Sequence, residues 1–104
     1  MKKTFSLVHE KLKTPRVVDS IKHEVKKYLK RERNKNLPEG ADFWDFDCKY
    51  GESEDVAETI HVSAINKHIS EAENAKLTRF YLEIIAKPGY RMSRPIENND
   101  FDED

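Results

Sequence analysis

Apolar and polar side chains alternate along three stretches of the chain, which is the pattern of half-buried β-strands. In the first stretch, Lys3–His9, the apolar residues Phe5 and Leu7 share one face. The second stretch, Phe43–Tyr50, places apolar side chains at its even-numbered positions, and the third, Arg79–Lys87, does the same. We therefore predict three strands, each with one mainly apolar face.

Between these strands, apolar residues recur every three or four positions, as they do on helices with one buried stripe. The first helix is predicted from about Pro15 to Arg33, and Thr14 is placed to cap its start. The second is predicted to start after Ser63, another capping residue, and to fade near residues 74–76. A shorter apolar stretch, Ala57–Val62, indicates a weak additional strand before it.

The predicted order is β-α-β-β-α-β, or β-α-β-α-β if the weak third strand is absent. Each strand and each helix has one apolar face, and these faces are buried against each other when both helices cover one side of a single sheet. We therefore predict an α+β fold, a two-layer sandwich with two helices on one face of a small sheet. With four strands this is the ferredoxin-like arrangement.

Composition limits the chain to one domain. It has 104 residues, enough for one hydrophobic core, and 38% of them are charged. We predict a single domain at residues 1–95 and a disordered acidic tail at residues 96–104, where five acids follow Pro95. With no secretory signal and no membrane-length apolar run, the expected location is the cytoplasm, away from membranes.

The net charge of −1 conceals a strong asymmetry. Residues 1–36 contain twelve Lys or Arg and four acids, whereas residues 37–104 contain seven Lys or Arg and sixteen acids. A basic segment of this kind indicates an anionic partner.

The leading candidate site is the exposed side of the first helix. Lys22, Lys26, Lys30 and Arg33 form a row at helical spacing that avoids the apolar stripe, and Lys27 and Arg31 lie beside this row. Arg91 and Arg94, in a basic loop after the last strand, are accessory candidates. Such cations can neutralise phosphates, so we predict a non-catalytic module that binds nucleic acid, RNA more than DNA.

Other interpretations compete with this one. The basic row is also compatible with a solvated helix face that binds nothing, because Glu24 and Glu32 weaken its field. It would equally serve a protein-interaction module that docks an acidic protein or the chain's own acidic tail.

A remote alternative is a metal-dependent hydrolase. Asp45, Asp47 and Glu83 share the outer strand face and would be its ligands, but a polar outer face with balancing lysines explains them more simply. Base stacking on Phe43 and Tyr81 of that face is disfavoured, since the same acids repel phosphates.

No catalytic group, metal site or cofactor site is predicted. Cys48 is the only cysteine, so no internal disulfide can form, and its position on the apolar strand face predicts a buried thiol. The four histidines have no zinc-binding spacing, and the three glycines stand alone.

Several segments are distinctive together: Met1–Phe5, Ile21–Arg33, Leu37–Lys49, Ile60–Val62 and Glu83–Gly89. The chain resembles, over most of Met1–Arg91, a family of small bacterial cytoplasmic proteins with a domain of unknown function. The resemblance implies no catalytic residue. Tyr90 stands where the resemblance implies a histidine, and the acidic tail lies outside it.

Overall fold

The computed structural model describes residues 1–91, which form two helices and four strands. The predicted acidic tail and Arg94 lie outside the described residues. The elements, in chain order, are β1 (Lys2–Ser6), α1 (Thr14–Arg33), β2 (Phe43–Gly51), β3 (Glu58–Ile60), α2 (Ile65–Asn74) and β4 (Arg79–Gly89). One turn of 3₁₀ helix, Glu54–Val56, precedes β3, and a second, Val62–Ala64, leads into α2.

The four strands form one antiparallel sheet in the order β1-β4-β2-β3. The weak third strand is present, with only three residues, so the predicted order β-α-β-β-α-β and the α+β class are confirmed. Each β-α-β unit is split by an inserted strand, because β4 lies between β1 and β2, and β2 lies between β3 and β4.

The ferredoxin-like strand order is not confirmed. That order has the first and third strands at its centre, whereas β4 and β2 are central here. The reason lies in the apolar content of the strands. In β4, Phe80, Leu82 and Ile84 are fully buried, while Phe5 alone is buried in β1, so β4 takes the position with neighbours on both sides.

Strand β4 is longer than predicted, since it continues through Pro88 and Gly89 instead of stopping before them. Proline lacks the N–H that a ladder requires and is tolerated where a strand has no neighbour on that side. The Ile84 N–H, facing β1, donates to the Met1 carbonyl at 2.7 Å, and β1 pairs no further along β4. Pro88 therefore faces no partner strand on the β1 side.

Both helices cover the sheet face formed by the apolar positions, and the core lies between the two layers. On that face the register places Phe5 opposite Phe80, and Cys48 opposite Ile84 and Ile60. The helices contribute apolar stripes from α1 and α2. The buried helix residues of this core are Val17, Val18, Ile21, Val25, Ile65, Ile69 and Ala72.

Both predicted helix caps are wrong in detail. Thr14 lies inside α1, and the residue before it, Lys13, occupies the N-cap position without a side-chain hydrogen bond. Ser63 lies within the 3₁₀ turn, whose start is capped by His61: its Nδ1 accepts from the Ser63 N–H at 3.1 Å. The extra turn moves the cap two residues upstream of the position that helical spacing indicates.

Among residues 1–91, no helix is long and apolar enough to cross a bilayer.

Candidate nucleic-acid interface

Helix α1 presents a basic surface because only one of its sides is apolar. Val18, Ile21 and Val25 are buried against the sheet. The predicted cations lie on the rest of the helix circumference, since their spacing of three, four and seven residues follows the same helical period. Lys26 and Lys30, near the middle of the predicted row, are both exposed.

The predicted row lies along α1, but the side chains at its two ends make contacts that those of Lys26 and Lys30 do not make. Lys22 is half-buried, and its Nζ donates to the Ser70 Oγ of α2 at 2.6 Å. Arg33 is exposed, yet its guanidinium lies 5.3 Å from the centre of the Phe46 ring. These contacts hold both cations towards α2 and β2.

The two flanking cations face the other way. Lys27 and Arg31 line a shallow groove with Tyr28 on the side of α1 that faces β1. The Arg31 guanidinium lies 5.5 Å from the Tyr28 ring centre, which orients it by a cation–π contact. The predicted cations of α1 therefore do not form one patch, because Lys22, Lys26 and Arg33 face α2 while Lys27 and Arg31 face β1.

The acids that were expected to weaken the basic field have other partners. Glu24 accepts from Lys3 of β1 at 2.8 Å, and Glu32, whose side chain is 11% exposed, pairs with Lys35 at 2.9 Å. The remaining ion pairs within residues 1–91, those of Asp47 and Glu71, lie on the sheet and on α2. None of the ion pairs found in residues 1–91 uses the six predicted cations of α1.

A groove lies between α1 and the start of α2, with a volume of about 460 Å³. Lys22, Lys26 and Arg33 line its α1 side together with His23. Val25, Leu29, Val62 and Ile65 supply apolar side chains, and Ser63 and Asn66 line its α2 side. No carboxylate lines this groove.

Of the two accessory candidates, Arg91 is not joined to this surface. Arg91 is exposed beyond the end of β4, and its backbone N–H donates to the Asp42 Oδ2 at 2.7 Å. None of the contacts found among residues 1–91 links Arg91 to α1. Arg94 lies outside the described residues.

The three acids of the outer sheet face do not form a metal site. Asp45 accepts from the backbone N–H of the next residue at 2.8 Å, and Asp47 pairs with Lys87 at 2.7 Å. This hydrogen bond, with the charge of Asp47, raises the pKa of Lys87. Glu83 accepts from the Tyr81 hydroxyl at 2.8 Å. Within the described part of the chain, no three His, Cys, Asp or Glu side chains converge as metal ligands do.

The outer face is also a poor stacking platform. Tyr81 is only 4% exposed, and loss of hydration together with its bond to Glu83 raises its pKa to about 12. Phe43 is 41% exposed, and its ring occupies the space where Gly89 has no side chain. A Cβ at Gly89 would lie 2.6 Å from the Phe43 Cζ. The two rings therefore do not offer a pair of free faces.

The predicted burial of Cys48 is confirmed. Its side chain is 1% exposed on the inner face of β2. Loss of hydration, followed by the negative charges of Asp47 and Asp45, raises the pKa of its thiol to about 11. A thiol in this environment is a packing group and not a nucleophile.

The sequence did not indicate that α2 contributes to the basic groove. The sequence predicts Ser63 only as a cap and indicates no role at the site for Val62 and Asn66. The signal that was available is local: the start of the second helix, from Val62 to Lys67, contains no acid. What brings it beside α1 is the crossing of the two helices over the same sheet face.

The comparison with family models identifies the class of protein. A family of unknown function, DUF6172, matches residues 1–95. The chain belongs to this family, and residues 96–104 lie beyond the match. Searches of curated proteins and of solved structures found no match.

Proposed function

We propose that this chain is a non-catalytic, cytoplasmic binding module that contacts RNA through the basic surface of α1. The observation that carries the proposal is the set of six cations on one helix without a carboxylate partner in residues 1–91. Cations of one helix that have no carboxylate partner are suited to phosphates, whose neutralisation releases counterions and drives binding.

The pairing of Glu24 and Glu32 supports the same proposal. Both acids lie on α1, but Lys3 and Lys35 offset their charges. The field in front of Lys26 and Lys30 is therefore more positive than the helix composition alone indicates. Its expected effect is on affinity and association rate, with little sequence preference.

The choice of RNA over DNA rests on the groove beside the basic row. Sequence-tolerant contacts to a duplex require only phosphates, whereas a groove with apolar side chains suits the unstacked nucleotides of RNA loops. The stacking mode of sheet-based RNA modules is not part of the proposal, because Tyr81 is buried.

The direct test removes Lys26 and Lys30 together. Neither side chain makes an ion pair or side-chain hydrogen bond among residues 1–91, and alanine favours helices, so K26A/K30A should leave the unfolding free energy unchanged within about 0.5 kcal/mol. Each phosphate contact to single-stranded RNA contributes about 0.7 to the slope of log affinity against log salt. Losing two contacts should lower the slope by about 1.4.

This slope makes the defect itself depend on salt. The affinity lost in K26A/K30A should be about sevenfold smaller at roughly 200 mM salt than at roughly 50 mM. The matched control is K2A/K49A, which removes the same charge from the outer sheet face, where both lysines flank Glu83 in register. Equal slopes for wild type and K26A/K30A, or equal defects in both variants, would contradict the proposal.

The second candidate, an acidic protein as partner, is favoured by the same free cations. The experiment separates the two. K26E/K30E should abolish RNA binding while circular dichroism shows an intact fold. If wild-type protein binds no RNA but captures an acidic protein after nuclease treatment, and K26E/K30E does not, the protein-interaction module replaces the RNA-binding module.

A further inference from the structure

The groove between α1 and α2 differs in chemistry from the rest of the basic surface. Its α1 side carries Lys22, Lys26 and Arg33, and no acid lines it. Lys22 is fixed by its bond to Ser70, so it holds positive charge at the wall without being free to reach outwards. Lys26 and Arg33 remain exposed at the rim, two helical turns apart, which is about 10 Å along the axis.

The floor of the groove is apolar. Val25 and Ile65 are buried there, and Leu29 and Val62 are half-buried and partly open to solvent. A site that binds phosphate alone does not need an apolar floor. A ligand that combines an anionic group with a flat, largely apolar body fits both the cations at the rim and the apolar floor of the groove.

The α2 side adds polar side chains. Ser63 and Asn66 are exposed and line the groove opposite the cations. A hydroxyl and an amide both donate and accept hydrogen bonds, so they can pair with the edge of a base or with a ribose hydroxyl. The volume of about 460 Å³ falls within the range of about 300–1,000 Å³ that small-molecule sites occupy.

We propose that this groove holds one unpaired nucleotide of a bound RNA, with its phosphate at Lys26, its base over Leu29 and Val62, and the next phosphate of the strand towards Arg33. This inference rests on the proposed RNA binding and specifies its ligand. Since a base must leave the stack to enter the groove, it predicts a preference for single strands and loops over duplex RNA.

The test blocks the groove without changing its charge. N66W places a large side chain on the α2 wall, and N74W places the same side chain at an exposed position at the far end of α2, outside the groove. We measure the affinity of the full chain for a short unstructured RNA and for an RNA duplex. N66W should weaken single-strand binding about tenfold or more and leave duplex binding unchanged. N74W should change neither.

A measurement on the wild-type chain tests the groove even if N66W does not fold. Adenosine 5′-monophosphate is titrated into ¹⁵N-labelled protein, with adenosine and inorganic phosphate in separate titrations. Amide shifts at Leu29, Ser63 and Asn66 that are larger with the nucleotide than with either part alone support the groove. Shifts absent from those residues overturn it.

The outcomes also separate this inference from the proposal on which it rests. If N66W and N74W bind the single strand alike while K26A/K30A binds it more weakly, the basic surface stands and the groove inference fails. If the wild-type chain binds no RNA at all, the proposed function fails and the groove has no role in RNA binding.

Discussion

Alkylation of Cys48 tests the burial and the raised pKa of this thiol on the inner sheet face. The thiolate is the reactive form, and each unit by which a pKa is raised lowers the thiolate fraction about tenfold. Raising the pKa of Cys48 from 9.0 to about 11 therefore lowers its thiolate fraction at pH 8 by about a hundredfold. Exposure of only 1% slows the reaction further.

The assay is the rate of carbamidomethylation by iodoacetamide at pH 8, followed by intact mass. Folded protein should react at least about a hundredfold more slowly than the same protein unfolded in guanidinium chloride. Folded and unfolded rates within about tenfold of each other would refute the burial and the raised pKa.

The raised pKa of Cys48 also predicts how the free energy of unfolding changes with pH. A raised pKa favours the neutral thiol in the folded state, so its contribution is complete below pH 9 and is lost as the pH rises towards 11. The loss attributable to Cys48 is roughly 3 kcal/mol at most. Urea unfolding at pH 8 and pH 10.5 should therefore show a smaller loss for C48A than for wild type. An equal loss in both would contradict this assignment.

Three further predictions concern the fold. F80A removes a side chain with 0% exposure and should cost about 3–5 kcal/mol in urea unfolding, whereas F43A, at a ring that is 41% exposed, should cost much less; equal costs would contradict the assigned core. G40A should cost about 1–2 kcal/mol, because Gly40 has a φ of +86° with open space around it, and an unchanged midpoint would contradict that backbone conformation. Tyrosine absorbance should show a titration step near pH 12 that Y81F removes; persistence of the step in Y81F would contradict its assignment to Tyr81.

The strands and helices were predictable because burial and period agree along them. In β2 and β4 the even-numbered positions face the helices, as their alternation indicates. In α1, Val18, Ile21 and Val25 of the apolar stripe are buried, whereas Tyr28 and Leu29 are half-buried. Even the weak third strand exists, shortened to Glu58–Ile60. The local hydrophobic pattern is sufficient to predict these strands and helices because each segment has only one mainly apolar face to bury.

The strand order was not predictable from these local patterns. Both the ferredoxin-like order and the observed one cover the same apolar faces, and they differ in whether β1 and β3 or β4 and β2 lie inside the sheet. The choice depends on how much each strand buries, and β4 with eleven residues buries far more than β1 with five. The local pattern also predicts that β4 ends before Pro88. The strand continues through Pro88 because β1 is too short to pair with that part of β4.

The candidate site was predictable as a helix face but not as a groove. Spacing along α1 gave the row from Lys22 to Arg33, because a helix fixes which residues are neighbours. It did not show that Lys22 bonds to Ser70 or that Glu24 pairs with Lys3, since these partners lie 48 and 21 residues away. Tertiary contacts decide which cations remain free and which face α2.

The most direct test of the proposed function is fluorescence anisotropy of the full chain with labelled single-stranded RNA, hairpin RNA and duplex DNA, at about 50 and 200 mM salt. We predict binding that weakens steeply with salt and that favours the two RNAs over duplex DNA. No binding at the lower salt, with residues 96–104 present or removed, would contradict RNA as the ligand of the basic surface.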